Sequence, residues 1–141
     1  MNDKIFWDTN ILVYYATDTG QKLKILQSEL VKPVSHVLSV QVLNEYSNVA
    51  LRKLGFTAQD IKSQLNGFTS IFEIVLLSPS ITQQALDIKG RWGYSFYDCL
   101  IIAAALEGDC TLLYSEDLHD GQIINSLTIK NPFGIYSLSG D

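Results

Sequence analysis

Apolar residues in this chain fall into short continuous runs separated by longer stretches of helical period. Lys4 to Trp7 is a brief apolar run that stops at Asp8, the pattern of a buried strand with a polar turn at its carboxyl end. Asn10 to Ala16 and Lys22 to Leu30 carry helical spacing interrupted by Gly20, Pro33 closes the second stretch, and Val34 to Leu38 reads as another strand. Ser39 offers an N-cap to a helix from Val40 to Leu54, where Val40, Leu43, Tyr46, Ala50 and Leu54 recur at three- and four-residue steps before Gly55. A helix from Thr57 to Phe72 puts Ile61, Leu65, Phe68 and Phe72 on one face, and Ile74 to Leu77 follows as an apolar strand.

Ser80 and Gln83 have capping-box spacing for a helix that reaches Trp92, with Gly93 beyond it. Tyr97 to Leu106 is apolar nearly all round, so this helix belongs at the centre of the molecule. Thr111 to Tyr114 and Leu127 to Lys130 complete the strands, and an acidic turn, Ser115 to Gly121, lies between them. This alternation predicts one α/β domain over residues 1–141, a three-layer α/β/α arrangement around a central, mostly parallel sheet of four or five strands. Ligands in such sheets bind beyond the carboxyl ends of the strands.

Composition narrows the function classes. The chain is 47% hydrophobic and 18% charged, and no run approaches the roughly 18 apolar residues of a membrane span, so no membrane partner is expected. Met1-Asn2-Asp3-Lys4 has neither a basic-then-apolar leader nor an Arg-rich one, which predicts a cytoplasmic protein. Cys99 and Cys110 sit in apolar surroundings and read as buried free thiols. A net charge of −5 argues against holding nucleic acid on a broad basic surface, unless part of the acidic excess is gathered in one cleft where divalent cations reverse the local sign.

Several carboxylates fall where such a cleft would form. Asp8 and Asp117 each follow a predicted strand, in the zone where the sheet binds ligands, although an Asx residue there can equally cap a helix or solvate a turn. Asp98 opens the most apolar helix, where an ionised carboxylate is costly unless capped, paired or metal-bound, and Ser95-Phe96-Tyr97-Asp98 also fits a capping box. Glu45 falls at the edge of the apolar arc of its helix, where most glutamates are solvated. Four such groups at one focus suit Mg²⁺ or Mn²⁺, hard cations that take oxygen ligands and leave positions for phosphate. His119 in the acidic turn reads as solvated. A phosphoacceptor receiver domain is disfavoured because no lysine follows the strand Thr111 to Tyr114.

Four segments then resemble, in order, those of the PIN-domain nucleases, and within them the VapC-type toxins of toxin-antitoxin pairs. They are Phe6-Trp7-Asp8-Thr9-Asn10-Ile11-Leu12, Ser39-Val40-Gln41-Val42-Leu43-Asn44-Glu45-Tyr46, Tyr97-Asp98-Cys99-Leu100-Ile101-Ile102-Ala103-Ala104-Ala105 and Leu112-Leu113-Tyr114-Ser115-Glu116-Asp117-Leu118. The closing Asn131-Pro132-Phe133 also fits. The resemblance implies that Asp8, Glu45, Asp98 and Asp117 form the catalytic, metal-binding quartet, Glu45 either directly or through water, with Thr9 and Ser115 as supporting neighbours. Asp120 lies on the same turn and can add to or replace Asp117. It further implies a Mg²⁺- or Mn²⁺-dependent endoribonuclease acting on tRNA, rRNA or mRNA and leaving 5′-phosphate ends, a homodimer, and a small antitoxin protein as partner. The alternatives are a structure-specific DNA nuclease and a non-catalytic PIN-like binding module.

Overall fold

A computed structural model describes residues 3–134. Six strands form one sheet in the order β3-β2-β1-β4-β6-β5. They are β1 (Lys4–Trp7), β2 (Ser35–Ser39), β3 (Glu73–Val75), β4 (Leu112–Tyr114), β5 (Ile123–Ile124) and β6 (Leu127–Lys130). The helices are α1 (Thr9–Thr17), α2 (Gln21–Leu30), α3 (Val40–Arg52), α4 (Ala58–Ile71), α5 (Pro79–Trp92) and α6 (Phe96–Glu107). All strand pairs are parallel except β5 with β6, and the whole is a three-layer α/β/α arrangement. The chain winds outward from β1 to β2 and β3, then returns to place β4 on the other side of β1. The carboxyl ends of β1 and β4 therefore form the topological switch point of the sheet, the place where open sheets of this kind bind ligands.

The buried sides of these elements meet in one core. Phe6, Trp7, Val37, Leu38 and Leu113 are fully buried in the strands, and Cys99, Ile102, Ala103, Ala104 and Ala105 in α6, which is sealed almost all round as its composition predicts. The two cysteines are buried free thiols. α6 carries small residues along its centre and runs close to the sheet. A Cβ on Gly108 at its end would lie 2.9 Å from Val75 Cγ2.

Most element ends fall within one or two residues of the sequence expectation, and three differences each have a local reason. The third strand is Glu73–Val75 rather than Ile74 to Leu77: β3 pairs only with β2, which ends at Ser39 opposite Val75, so Leu76 and Leu77 have no ladder to join and are exposed. α5 begins from Ser78, whose Oγ accepts from the Ile81 amide at 3.3 Å, rather than from Ser80. Pro79 then occupies the first helical position, where a missing N–H is no loss and φ is already helical. The sixth strand, β5, is two residues long and hairpins onto β6 through Asn125 at φ 54°, too short to leave a periodic signal.

Candidate active site

The two central strand ends deliver the first carboxylate and its anchor. Asp8 leaves β1 and is the N-cap of α1: its Oδ1 accepts from the Thr9 amide at 2.7 Å, and its own amide donates to the Tyr114 carbonyl at the end of β4. Oδ2 accepts from the Ser115 hydroxyl at 2.8 Å. Ser115 is fully buried, and its Oγ also accepts from the amides of Asp117 and Leu118 at 3.2 and 3.3 Å. One hydroxyl thus fixes the turn after β4 to the carboxylate after β1.

Capping alone does not account for Asp8. It is only 7% exposed, and burial pushes its carboxyl up from 3.8 to about 6. The hydrogen bonds from Ser115 and Thr9 act in the opposite sense, and the charges of Glu45 and Asp98 add to the rise. Three of the four sequence-predicted acids therefore share one electrostatic environment.

Glu45 comes from the second turn of α3, which Ser39 starts by accepting from the Val42 amide at 3.3 Å. Both its oxygens are held, Oε1 by the Thr9 hydroxyl at 2.5 Å and Oε2 by the Gln41 amide nitrogen at 3.0 Å. Asp98 lies in the first turn of α6, half-buried. The cap of that helix is one-sided: Ser95 Oγ accepts from the Asp98 amide at 3.2 Å, while no hydrogen bond occupies the Asp98 carboxylate among the described residues.

Asp117 is exposed on the turn after β4, and its Oδ2 accepts from Asn10 Nδ2 at 2.9 Å. Asn10 Oδ1 accepts in turn from the Glu116 amide at 3.4 Å. Behind this turn Glu116 takes the Tyr14 hydroxyl at 2.7 Å and the Lys22 ammonium at 2.9 Å, and Lys22 lies 3.9 Å over the Tyr14 ring. Asp120, the other acid of the turn, accepts from the Asn131 amide at 2.7 Å and braces the chain where it leaves β6. His119 is exposed.

Among the described residues no three His, Cys, Asp or Glu side chains are drawn together closely enough to enclose a metal ion by themselves. The donor chemistry nonetheless fits a hard divalent cation. Asp8 is a buried all-oxygen donor whose ionisation is opposed by desolvation and by two neighbouring acids, and a cation relieves both. Asp98 adds a carboxylate without a competing hydrogen bond, and water completes such shells readily.

Asn10 and Gln41 carry no acidic group to mark them in the sequence, yet each holds one of the acids. Their signals were present: Asn10 stands two residues after Asp8 in an all-polar run, and Gln41 stands one helical turn before Glu45.

Comparison with solved structures finds the same fold. A toxin-antitoxin complex from Klebsiella pneumoniae contains a chain that superposes with a TM-score of 0.68 at 18% identity, covering 91% of this chain and 97% of that one. VapC20 of Mycobacterium tuberculosis, described as a sarcin-ricin loop cleaving toxin, gives 0.65 at 18% identity over 80% and 89%. VapBC2 from Rickettsia felis, bound to a DNA fragment from its promoter, gives 0.69 at 21% identity over 90% and 97%. No curated protein matches the sequence. The family model of the PIN domain matches residues 5–119. A match that runs from the second residue of β1 to the acidic turn after β4 leaves one conclusion: the chain belongs to the PIN-domain family.

Proposed function

We propose that this chain is a VapC-type, divalent-metal-dependent endoribonuclease, the toxin of a toxin-antitoxin pair. The observation that carries the reading is the buried Asp8 carboxyl, fixed by Thr9 and Ser115 at the switch point and raised to about 6 chiefly by burial, with the charges of Glu45 and Asp98 adding to the rise. A carboxyl placed at such a cost in solvation marks a functional site more readily than a structural one. The toxin-antitoxin complexes among the structural neighbours support the partner, and VapC20, described as a sarcin-ricin loop cleaving toxin, supports RNA as the substrate.

In this reading Asp8, Asp98, Asp117 and Glu45 are the carboxylates that would hold Mg²⁺ or Mn²⁺, with water completing the shell. When bound, the cation supplies a lowered pKa for a coordinated water and neutralises charge on the phosphodiester. The protein's own residues do the positioning. Thr9 Oγ1 and Gln41 Nε2 orient Glu45, Ser115 Oγ keeps one Asp8 oxygen turned towards the β4 turn, and Asn10 Nδ2 holds one oxygen of the exposed Asp117 carboxylate. The chain acts as a single domain over residues 1–141, cytoplasmic and homodimeric, and a small antitoxin protein covers the cleft.

The test incubates purified protein with tRNA, rRNA, mRNA and DNA of matched sequence in Mg²⁺ or Mn²⁺. Cleavage confined to RNA, with 5′-phosphate products and inhibition by the protein encoded next to this gene, is the expected result. Cleavage of DNA alone would make the chain a DNA nuclease. Tight RNA binding without cleavage in either metal would make it a binding module.

A further inference from the structure

We propose that Gln41 is the positioning residue of this site, locking the Glu45 carboxylate in place and tying it to the turn of α6 that carries Asp98. The inference rests on the carboxylate-cluster reading above. Gln41 sits in the first turn of α3 and is 6% exposed. Its Nε2 donates to Glu45 Oε2 at 3.0 Å and to the Tyr97 carbonyl at 3.2 Å. Both partners only accept, so the nitrogen and not the oxygen of the amide must face them, and both N–H bonds are then used.

Glu45 is consequently held by two separate donors, Thr9 from α1 on Oε1 and Gln41 on Oε2. Rotation of the carboxylate breaks at least one of these bonds. The second hydrogen of the amide reaches the residue beside Asp98, so the helices bearing Asp8, Glu45 and Asp98 at or near their starts are joined through one carboxylate and one amide.

The other end of the side chain shows what this arrangement sacrifices. Gln41 Oε1 is buried and has no hydrogen-bond partner among the described residues. A buried acceptor left unsatisfied destabilises the folded state, and an apolar side chain of the same length would avoid it. A residue retained for packing alone would not be an amide here. Gln41 therefore serves the carboxylate at the expense of the core, and stability and function should respond to its replacement with opposite signs.

Gln41→Met keeps the length and volume and removes both the donors and the orphaned oxygen. The full chain is measured three ways: thermal midpoint without metal, Mn²⁺ affinity by titration calorimetry, and kcat and KM on RNA. The expected result is a midpoint equal to or above that of the wild type, with Mn²⁺ affinity and kcat each down about 10- to 100-fold, the usual effect of losing a partner that orients a metal ligand. KM should stay within about threefold, because no contact to RNA is removed. Gln41→Glu, which turns an oxygen towards two acceptors, should lose kcat to the same degree.

Mn²⁺ affinity and kcat within about twofold of wild type in Gln41→Met, or kcat within about twofold in Gln41→Glu, would overturn the assignment, as would a lowered midpoint in Gln41→Met with unchanged affinity, the mark of a purely structural role. The two claims separate cleanly. Loss of Mn²⁺ affinity in Gln41→Met, in a protein that cuts no RNA, upholds the positioning role and removes the ribonuclease reading. Full activity and affinity in Gln41→Met does the reverse. A wild-type chain that binds no Mn²⁺ overturns both.

Discussion

Replacing Asp8 by Asn should abolish activity and at the same time stabilise the metal-free protein at neutral pH. The carboxyl titrates near 6 in the folded chain against 3.8 in its ordinary setting, so the fold prefers it protonated. A group with a raised folded pKa favours folding fully below the lower value and loses that contribution as pH rises through the higher one. At pH 7 the loss is complete and amounts to about 3 kcal/mol, at 1.36 kcal/mol for each tenfold change. Asparagine removes the charge and keeps an acceptor for the Thr9 amide, but its NH₂ replaces the oxygen that accepts from Ser115, whose Oγ already accepts from the Asp117 and Leu118 amides, so that one bond is lost. With allowance for imperfect geometry, a net gain of about 1–2 kcal/mol remains, or roughly 3–8 °C in thermal midpoint for a chain of this size. Differential scanning calorimetry in chelator should show that gain at about pH 7.5, its disappearance near pH 4, and its reduction by Mg²⁺, which binds only the wild type tightly. An Asp8→Asn midpoint at or below that of the wild type at neutral pH, or a difference unaffected by pH, would refute the view of Asp8 as a buried charge awaiting a cation.

Other consequences follow from single contacts. Asp117→Ala should lower kcat by at least about tenfold with little effect on the midpoint, whereas Asp120→Ala should cost about 1 kcal/mol of stability through the lost Asn131 bond and leave kcat within a factor of about two; steady-state kinetics beside a melting curve separates them. His36 is buried as the neutral Nε2–H tautomer, since Nδ1 accepts from the Trp7 indole at 3.1 Å and Nε2 faces the Glu29 carbonyl at 3.0 Å. Burial lowers its pKa, so stability is lost as pH falls below the ordinary value of 6.5, and denaturation midpoints taken from about pH 7.5 to 5.5 should drop less steeply in His36→Leu. Gly108→Ala should destabilise by about 1–3 kcal/mol in urea unfolding, because the new methyl meets the stiff Val75 side chain at 2.9 Å.

Much of this site is legible in the chain because it is local. Asp8 and Ser115 stand immediately after short apolar runs of strand length, and a strand's end fixes where the next side chain goes. The dual nature of Asp8 was legible too, as both helix cap and strand-end acid. What the sequence hides is tertiary pairing. β3 ends at Val75 because β2 ends at Ser39, a fact about another segment of the chain. Thr9 meets Glu45 across 36 residues, and Asp120 is drawn to Asn131 across the β5–β6 hairpin, which leaves no period of its own. Gln41 lies one turn from Glu45 and was visible as a neighbour, but its second bond, to the Tyr97 carbonyl, depends on where α6 packs.

The central claim is that the carboxylates around Asp8 cut RNA through a divalent cation, and Asp98 is the acid whose replacement disturbs the fold least, since Ser95 alone caps α6. The direct test compares wild type and Asp98→Asn on a defined RNA, with Mg²⁺ or Mn²⁺ and with chelator, at matched thermal midpoints. The account predicts cleavage that chelator abolishes and that Asp98→Asn reduces by at least about 100-fold. Cleavage that persists in chelator and in Asp98→Asn would contradict it.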